Sequence, residues 1–306
     1  MIDVVILNWN KRTALMSALE SLFNQSMLEF RVIVVDNGST DGSVAAVEAL
    51  YGDRITLLAL SDNRGGTAGF NAGLRVACSR ENEAIFLMDN DVILDRHALG
   101  ILRDTLRNRP AAGAAGPKTF YTSEPNRIWC CGGVWRPLLA ETTHRGGNRL
   151  GVRRYSNPTS VRYLPACALL VRRGVIDQVG FMDERFFLYH DDVEWCLRFQ
   201  RAGWEVWLEP AAIVWHDVSY RTSTLNPMIV YYSTRNAGLL LQLHATPMQK
   251  FGAVILLPIS ALRRELIFCL GSRTGGLSRW IELNRAALCG LRDWWAGRFG
   301  KRTISP

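Results

Sequence analysis

The order of elements predicts an α/β protein built on a layered, mostly parallel sheet. Short apolar runs rich in Val and Ile recur, each closes on a polar loop, and amphipathic segments separate them. Val4-Val5-Ile6-Leu7 is the first strand and Asn8-Trp9-Asn10 the loop after it. Leu15, Leu19, Leu22 and Phe23 then recur at helical spacing. Val32 to Val35 forms the second strand, closed by Asp36-Asn37-Gly38-Ser39-Thr40-Asp41, where Asp41 reads as a cap for a helix beginning near Ser43. Ile55 to Leu60 is a third strand, Ala68 to Cys78 a helix, and Ile85 to Met88 a fourth strand. From Ala112 to Pro158 the pattern loosens into Gly- and Arg-rich loops, a natural place for a substrate lid. Order returns from Leu164 to His216, and beyond Tyr220 long apolar runs broken by arginines mark a domain boundary.

At 306 residues, 48% hydrophobic and 21% charged, the chain has room for one large domain with an appendage, or for two domains. Its net charge of +8 is uneven: Phe251 to Pro306 holds nine Lys or Arg against three Asp or Glu. Such a local excess suits anionic lipid better than nucleic acid. The apolar run Phe251 to Leu262 contains Pro258 and is shorter than the ~20 residues a spanning helix needs. It reads as an interfacial segment with Trp280, Trp294 and Trp295 as headgroup-level anchors, or else as a helical hairpin packed on the sheet. Seven scattered cysteines without zinc spacing read as reduced thiols. Met1-Ile2-Asp3 runs directly into the first strand without a signal segment, so a cytoplasmic protein, peripheral on the inner membrane face, is expected.

The chemistry concentrates at four places. Asp89-Asn90-Asp91 ends the fourth strand, where a parallel sheet places its ligands and where carboxylates can hold a divalent cation against a diphosphate; the same triplet also makes ordinary turns. Asp36 sits where a base or ribose would lie. Asn63-Arg64-Gly65-Gly66-Thr67-Ala68-Gly69-Phe70-Asn71-Ala72-Gly73 opens a helix with small residues that let backbone approach an anionic ligand, or that serve tight helix–sheet packing. It is not Gly-x-Gly-x-x-Gly and follows the third strand, which argues against a dinucleotide-binding oxidoreductase. In His190-Asp191-Asp192-Val193-Glu194-Trp195, Asp191 and Glu194 fit a capping box, which leaves Asp192 as a candidate general base near an aromatic wall. Ile213-Val214-Trp215-His216 is a short strand ending in a histidine, a candidate ligand, whereas His97, His144 and His244 read as surface.

Together these segments, over residues 2 to 218, resemble the inverting glycosyltransferases of family 2, which have the GT-A fold. Val179 to Tyr189, continuing to Arg198, together with Asp89-Asn90-Asp91 and Tyr231-Tyr232-x-x-Arg235-Asn236, resembles the bacterial rhamnosyltransferase and galactofuranosyltransferase subgroup that builds O-antigen and cell-wall glycans. The resemblance implies a catalytic unit over 1–220, with a donor half 1–118 and an acceptor half 119–220, and a basic helical extension over 221–306. It implies Mg²⁺ or Mn²⁺ on Asp91 and His216, with Asp192 as the base. Asn8, Asn10, Asp36, Asn63, Gly65, Asn71 and Asp89 would bind the donor, and Asp191, Glu194 and Trp195 the acceptor. The implied donor is dTDP-L-rhamnose or UDP-galactofuranose and the acceptor a glycan or lipid-linked hydroxyl. A non-catalytic nucleotide-sugar-binding subunit is the competing class. Gly69-Phe70-Asn71 stands where the family often has Ala-Arg-Asn, Asp191-Asp192 where it usually has Glu-Asp, and Pro165-Ala166-Cys167 where the subgroup tends to a Gly-Ala pair.

Overall fold

The computed structural model describes residues 1–151, 155–218, 226–253 and 277–302. Its first half alternates as the sequence predicts. β1 (Ile2–Asn8), α1 (Arg12–Phe23), β2 (Phe30–Asp36), α2 (Ser43–Tyr51), β3 (Ile55–Ala59), α3 (Gly65–Cys78) and β4 (Ala84–Asp89) build a parallel unit in the spatial order β4-β1-β2-β3. β1, β2 and β4 are buried on both faces, the edge strand β3 is half-buried, and successive side chains point to opposite faces. Val4, Ile6, Val32, Val34, Phe86 and Met88 accordingly enter the layer under α1, while Val5, Ile33, Val35, Ile85 and Leu87 enter the layer under α3.

The chain continues through β5 (Val92–Leu94), α4 (Ala98–Asn108), β6 (Ala112–Tyr121), β7 (Ile128–Cys130), β8 (Gly133–Arg136), β9 (Glu141–His144), β10 (Thr159–Ser160), β11 (Ala168–Arg172), α5 (Arg173–Val179), α6 (Asp191–Arg201) and β12 (Glu205–His216). β11 joins the parallel unit through antiparallel pairing with β4, and β6 and β12 extend the sheet beyond it. The loop region expected from Ala112 to Pro158 therefore carries four strands, β6 to β9, between its loops. β6 is a ten-residue strand with every residue buried, and its Ala-Gly-Ala-Ala-Gly start lacks the β-branched signature of an exposed-edge or half-buried strand. β12 is likewise a twelve-residue strand rather than a short one.

Two helices, α7 (Pro227–His244) and α8 (Leu277–Trp295), pack on each other and back onto the sheet-bearing part of the chain. Gly238 admits the Trp294 ring, and Gly290 lies against the Tyr231 carbonyl. Leu239 and Leu240 of α7 belong to the main core. The Arg302 backbone N–H donates to Tyr232 Oη at 3.0 Å, and Lys301 Nζ donates to the Asn63 carbonyl at 2.7 Å, so residues 301–302 return to the loop that opens α3. The described part of the extension thus follows the packed-hairpin alternative, with Trp294 inside it and Trp295 on its exposed face. Positions 254–262 of the apolar run lie outside the described residues.

Candidate active site

Parallel register brings the C-terminal ends of β1, β2 and β4 to one edge, pairing Asn8 with Asp36 and Leu7 with Asp89. Asn8 is buried, and its amide donates to Asp36 at 2.8 Å while its oxygen accepts from Asn90 at 2.6 Å. Asp36 also accepts from the Ser39 backbone at 2.8 Å. Asn10 holds a left-handed φ of 50° and accepts from the Thr40 backbone at 2.8 Å. Asp41 serves two helix starts: it accepts from the Ser43 N–H at 3.0 Å and from the Arg12 N–H at 2.8 Å. Asn8, Asn10 and Asp36 thereby form one braced wall of loops, where the sequence expects the nucleoside.

Two residues expected in that wall serve other ends. Asn71 is buried, bonding the Met182 backbone in both directions, at 2.8 and 3.1 Å, and Glu184 at 3.0 Å; its amide ties α3 to the segment that leads into α6. Gly65 carries a φ of +87°, and a Cβ there would lie 2.5 Å from the Phe187 ring. The first N–H groups of α3 are taken by Asn63 Oδ1 (Gly65 N–H, 2.8 Å) and by the Phe187 carbonyl (Thr67 N–H, 3.4 Å). The small residues of this stretch serve close packing, and the Arg64, Gly65 and Thr67 N–H groups at this helix end already have protein acceptors.

The acidic corner is built by the second half of the sheet. β12 pairs antiparallel with β5 so that His216 faces Val92, and the Asp217 N–H donates to the Asp91 carbonyl at 2.9 Å. His216 Nε2 then lies 3.0 Å from Asp91 Oδ1 and 3.8 Å from Asp89 Oδ2. Cys167, whose carbonyl accepts from the Asp89 N–H, brings its thiol to within 4.8 Å of the Asp89 and His216 ligand atoms. Burial pushes the Asp91 carboxyl up, but hydrogen bonds and charge from His216 and Lys11 outweigh it and hold the group down at about 2. Asp89 goes the other way, raised to about 6 by burial and by the neighbouring Asp91 charge. An imidazole converging with two carboxylates is a donor set that suits Mn²⁺ or Mg²⁺. His216 Nδ1 is buried without a hydrogen-bond partner, and Trp129 packs edge-on between the rings of His216 and His144 at 4.7 and 4.6 Å.

Facing this corner, the loop 186–190 turns sharply, with left-handed φ at Phe187, Tyr189 and His190. It delivers Asp191 and Asp192 at the start of α6. The helix N-cap is His190, so the expected capping box does not form: Asp191 accepts from the Thr67 hydroxyl at 2.8 Å, and Glu194 pairs with Arg198 at 2.9 Å and with His244 at 3.1 Å. Burial first, and then the charge of Asp191, raise the Asp192 carboxyl to about 7, against backbone hydrogen bonds from Val193 and Ala166. The cleft therefore holds one carboxylate strongly ionised beside an imidazole and another that retains its proton near neutrality.

The family follows from sequence comparison: residues 3–180 match the model of glycosyl transferase family 2. The chain belongs to that family. It is 27% identical over 238 residues to N-acetylglucosaminyl-diphospho-decaprenol L-rhamnosyltransferase of Mycobacterium tuberculosis, covering 72% of this chain and 77% of the relative. It is 27% identical over 250 residues to dTDP-rhamnosyl transferase RfbF of Shigella flexneri, covering 78% and 76%. It is also 27% identical over 307 residues to galactofuranosyltransferase GlfT1 of Mycolicibacterium smegmatis, covering 92% and 94%. Among solved structures it resembles GalNAc-T7 with UDP, GalNAc and Mn²⁺ (TM-score 0.65, 11% identity, 97% of this chain and 56% of the other). It likewise resembles mannosyltransferase PcManGT from Pyrobaculum calidifontis with GDP-Man and Mn²⁺ (TM-score 0.61, 16% identity, 97% and 87%). The fold is GT-A, with C-terminal helices added.

Within this glycosyltransferase four further side chains sit otherwise than their sequence setting suggests. Trp195 is fully buried in the core with its indole N–H on the Gly180 carbonyl at 2.9 Å, and Glu194 is buried in its own ion pairs, so neither presents a surface to an acceptor. His244 is buried against Glu194 rather than exposed. His144 is tucked under Trp129, where burial, then the charge of His216, lowers its pKa to about 4. His97 is exposed, as expected. Arg235 and Asn236 of α7, visible in the sequence only as part of a motif, grip the 186–190 loop. Arg235 donates to the carbonyls of Arg185 and Phe186 at 3.1 and 2.9 Å. Asn236 donates to those of Phe186, Leu188 and Tyr189 at 2.8, 2.7 and 2.9 Å.

Proposed function

We propose that the enzyme transfers L-rhamnose from dTDP-L-rhamnose, with inversion, to a hydroxyl of a lipid-linked or growing cell-surface glycan. The observation that carries a transferase mechanism is the division of labour in the cleft: Asp91, Asp89 and His216 converge on one side and Asp192 stands apart from them on α6. Asp91, His216 and Asp89 would hold Mg²⁺ or Mn²⁺. Such a cation supplies positive charge against the leaving nucleoside diphosphate. Asn8, Asn10 and Asp36 orient the nucleoside through their braced loops. Asp192, raised to about 7, takes the proton of the acceptor hydroxyl as that oxygen attacks the anomeric carbon. Holding nucleophile and anomeric carbon in line allows a single displacement without a covalent enzyme intermediate.

The choice of rhamnose rests on the two relatives named as rhamnosyltransferases. Galactofuranose from UDP-galactofuranose is the second reading, favoured by the long alignment to GlfT1 and by Asp191 at a position where the wider family usually has Glu. A donor panel decides between them: with Mn²⁺ and a lipid-linked acceptor, dTDP-L-rhamnose should release nucleotide and UDP-galactofuranose should not. The reverse result reassigns the sugar.

We also infer attachment to an anionic bilayer through the extension. Among the described residues no helix is long and apolar enough to cross a membrane. α8 instead carries Ile281, Arg285, Leu288, Arg292 and Trp295 as one exposed stripe, apolar and basic by turns. That pattern suits an interfacial helix.

A further inference from the structure

Lys11 is absent from every expectation drawn from the sequence, yet it ion-pairs with the most constrained carboxylate in the cleft. It stands at the N-cap of α1, where its own side chain caps nothing. The Nζ donates to Asp91 Oδ2, while Asp91 Oδ1 is held by His216. Both oxygens of the expected metal ligand are thus already engaged. The backbone on either side of Lys11 is pinned, by Asn10 to Ser39 and Thr40 and by Arg12 to Asp41. The Lys11 side chain itself is 50% exposed. It is therefore a half-exposed ammonium on a flexible stem, held from a fixed anchor against Asp91.

We propose that Lys11 is a tethered counter-cation: it holds Asp91 while the site is empty, yields it to the divalent metal, and then engages the donor diphosphate. The inference rests on the metal-dependent reading above and adds an ordering to it. A metal entering alone must displace the ammonium and return it to water, so metal alone binds weakly. With a nucleoside diphosphate present, the displaced ammonium finds phosphate oxygens at the same corner, and each ligand then tightens the other. Such coupling is reciprocal by thermodynamic necessity and typically spans about 5–150-fold. A lysine suits this task because it carries a compact point charge on a flexible stem.

Free Mn²⁺, followed by its electron paramagnetic resonance signal, is titrated with wild type and Lys11→Met, each with and without dTDP; thermal melting verifies the fold of each. The expected result is that Lys11→Met binds Mn²⁺ alone several-fold more tightly than wild type. The enhancement of Mn²⁺ binding by dTDP should at the same time shrink by roughly tenfold, within the usual span of such couplings. Lys11→Arg, which keeps the charge, should retain most of the enhancement. Equal Mn²⁺ affinity and equal enhancement in wild type and Lys11→Met would leave Lys11 a surface lysine and overturn the proposal alone. Weaker binding of Mn²⁺ by the variant without dTDP would also overturn it. If neither protein binds Mn²⁺ even with dTDP, the metal-dependent reading itself fails and takes this inference with it.

Discussion

Asp192 is placed so that burial and a neighbouring carboxylate keep its proton on to about 7, well above the ordinary 3.8. Between those two pH values the folded protein holds a proton that the unfolded chain has released. Stability therefore falls as pH rises through that window. Asp89, raised to about 6, acts in the same direction over a narrower range. Denaturant unfolding at pH 5 and pH 8 should show wild type losing stability at the higher pH, with Asp192→Asn losing less. Activity runs oppositely, because a base must be ionised to act. kcat/KM should rise with pH on a limb centred at about 7, or below it where a bound cation favours the carboxylate. Asp192→Asn should lower kcat by ~10²–10⁴ and abolish the limb while dTDP binding persists. A limb that survives in Asp192→Asn would assign it to another group.

Elements, more than single residues, decide whether that carboxylate points into the cleft. The loop 186–190 carries three non-glycine residues in left-handed backbone, a conformation that persists only when its surroundings impose it. Asn236 and Arg235 supply that constraint from α7. Removing the Asn236 amide leaves the Leu188 and Tyr189 carbonyls short of a donor, at ~1–3 kcal/mol for an unmet buried group, while the Phe186 carbonyl keeps Arg235. Asn236→Ala should accordingly lower the denaturation midpoint and reduce kcat more than it weakens dTDP binding, since the nucleoside loops lie on other strands. Lowered stability with kcat unchanged would make the clamp a fold element only. This clamp also shows where sequence reading stops. The parallel half was legible because Val- and Ile-rich runs alternate with helical spacing, and the approach of His216 to Asp91 was expected because each stands at the end of a strand run. The Ala- and Gly-rich β6 was not, because its small residues reflect tight packing between layers rather than strand propensity. Trp195 and Asn71 looked like ligand contacts because burial cannot be seen in a one-dimensional motif. Lys11 gave no signal, since its partner is eighty residues away in the chain.

For the whole molecule, α7, α8 and residues 296–302 pack as one body with the rest of the enzyme, sealed by Trp294 on Gly238 and by the Tyr231 hydroxyl on Asp293 at 2.8 Å. The exposed stripe of α8 lies outside that seal, with Arg292 at its border pairing with Asp293 at 3.2 Å. Sedimentation with anionic vesicles should show binding that weakens with salt. Arg285→Gln and Arg292→Gln should each weaken it by about 1 kcal/mol, roughly fivefold. Replacing Ile281, Leu288 and Trp295 by Ser should reduce it further. Binding that these changes leave untouched would place the contact elsewhere. The most direct test of the whole account is sugar transfer measured in EDTA and after restoring Mn²⁺, for wild type and Asp91→Ala in parallel. Wild type should fall silent in EDTA and recover with Mn²⁺, and Asp91→Ala should stay silent in both, folded but without its cation. Full turnover of wild type in EDTA, or recovery of Asp91→Ala by Mn²⁺ to the wild-type rate, would contradict the assignment of Asp91 and His216 to a catalytic metal.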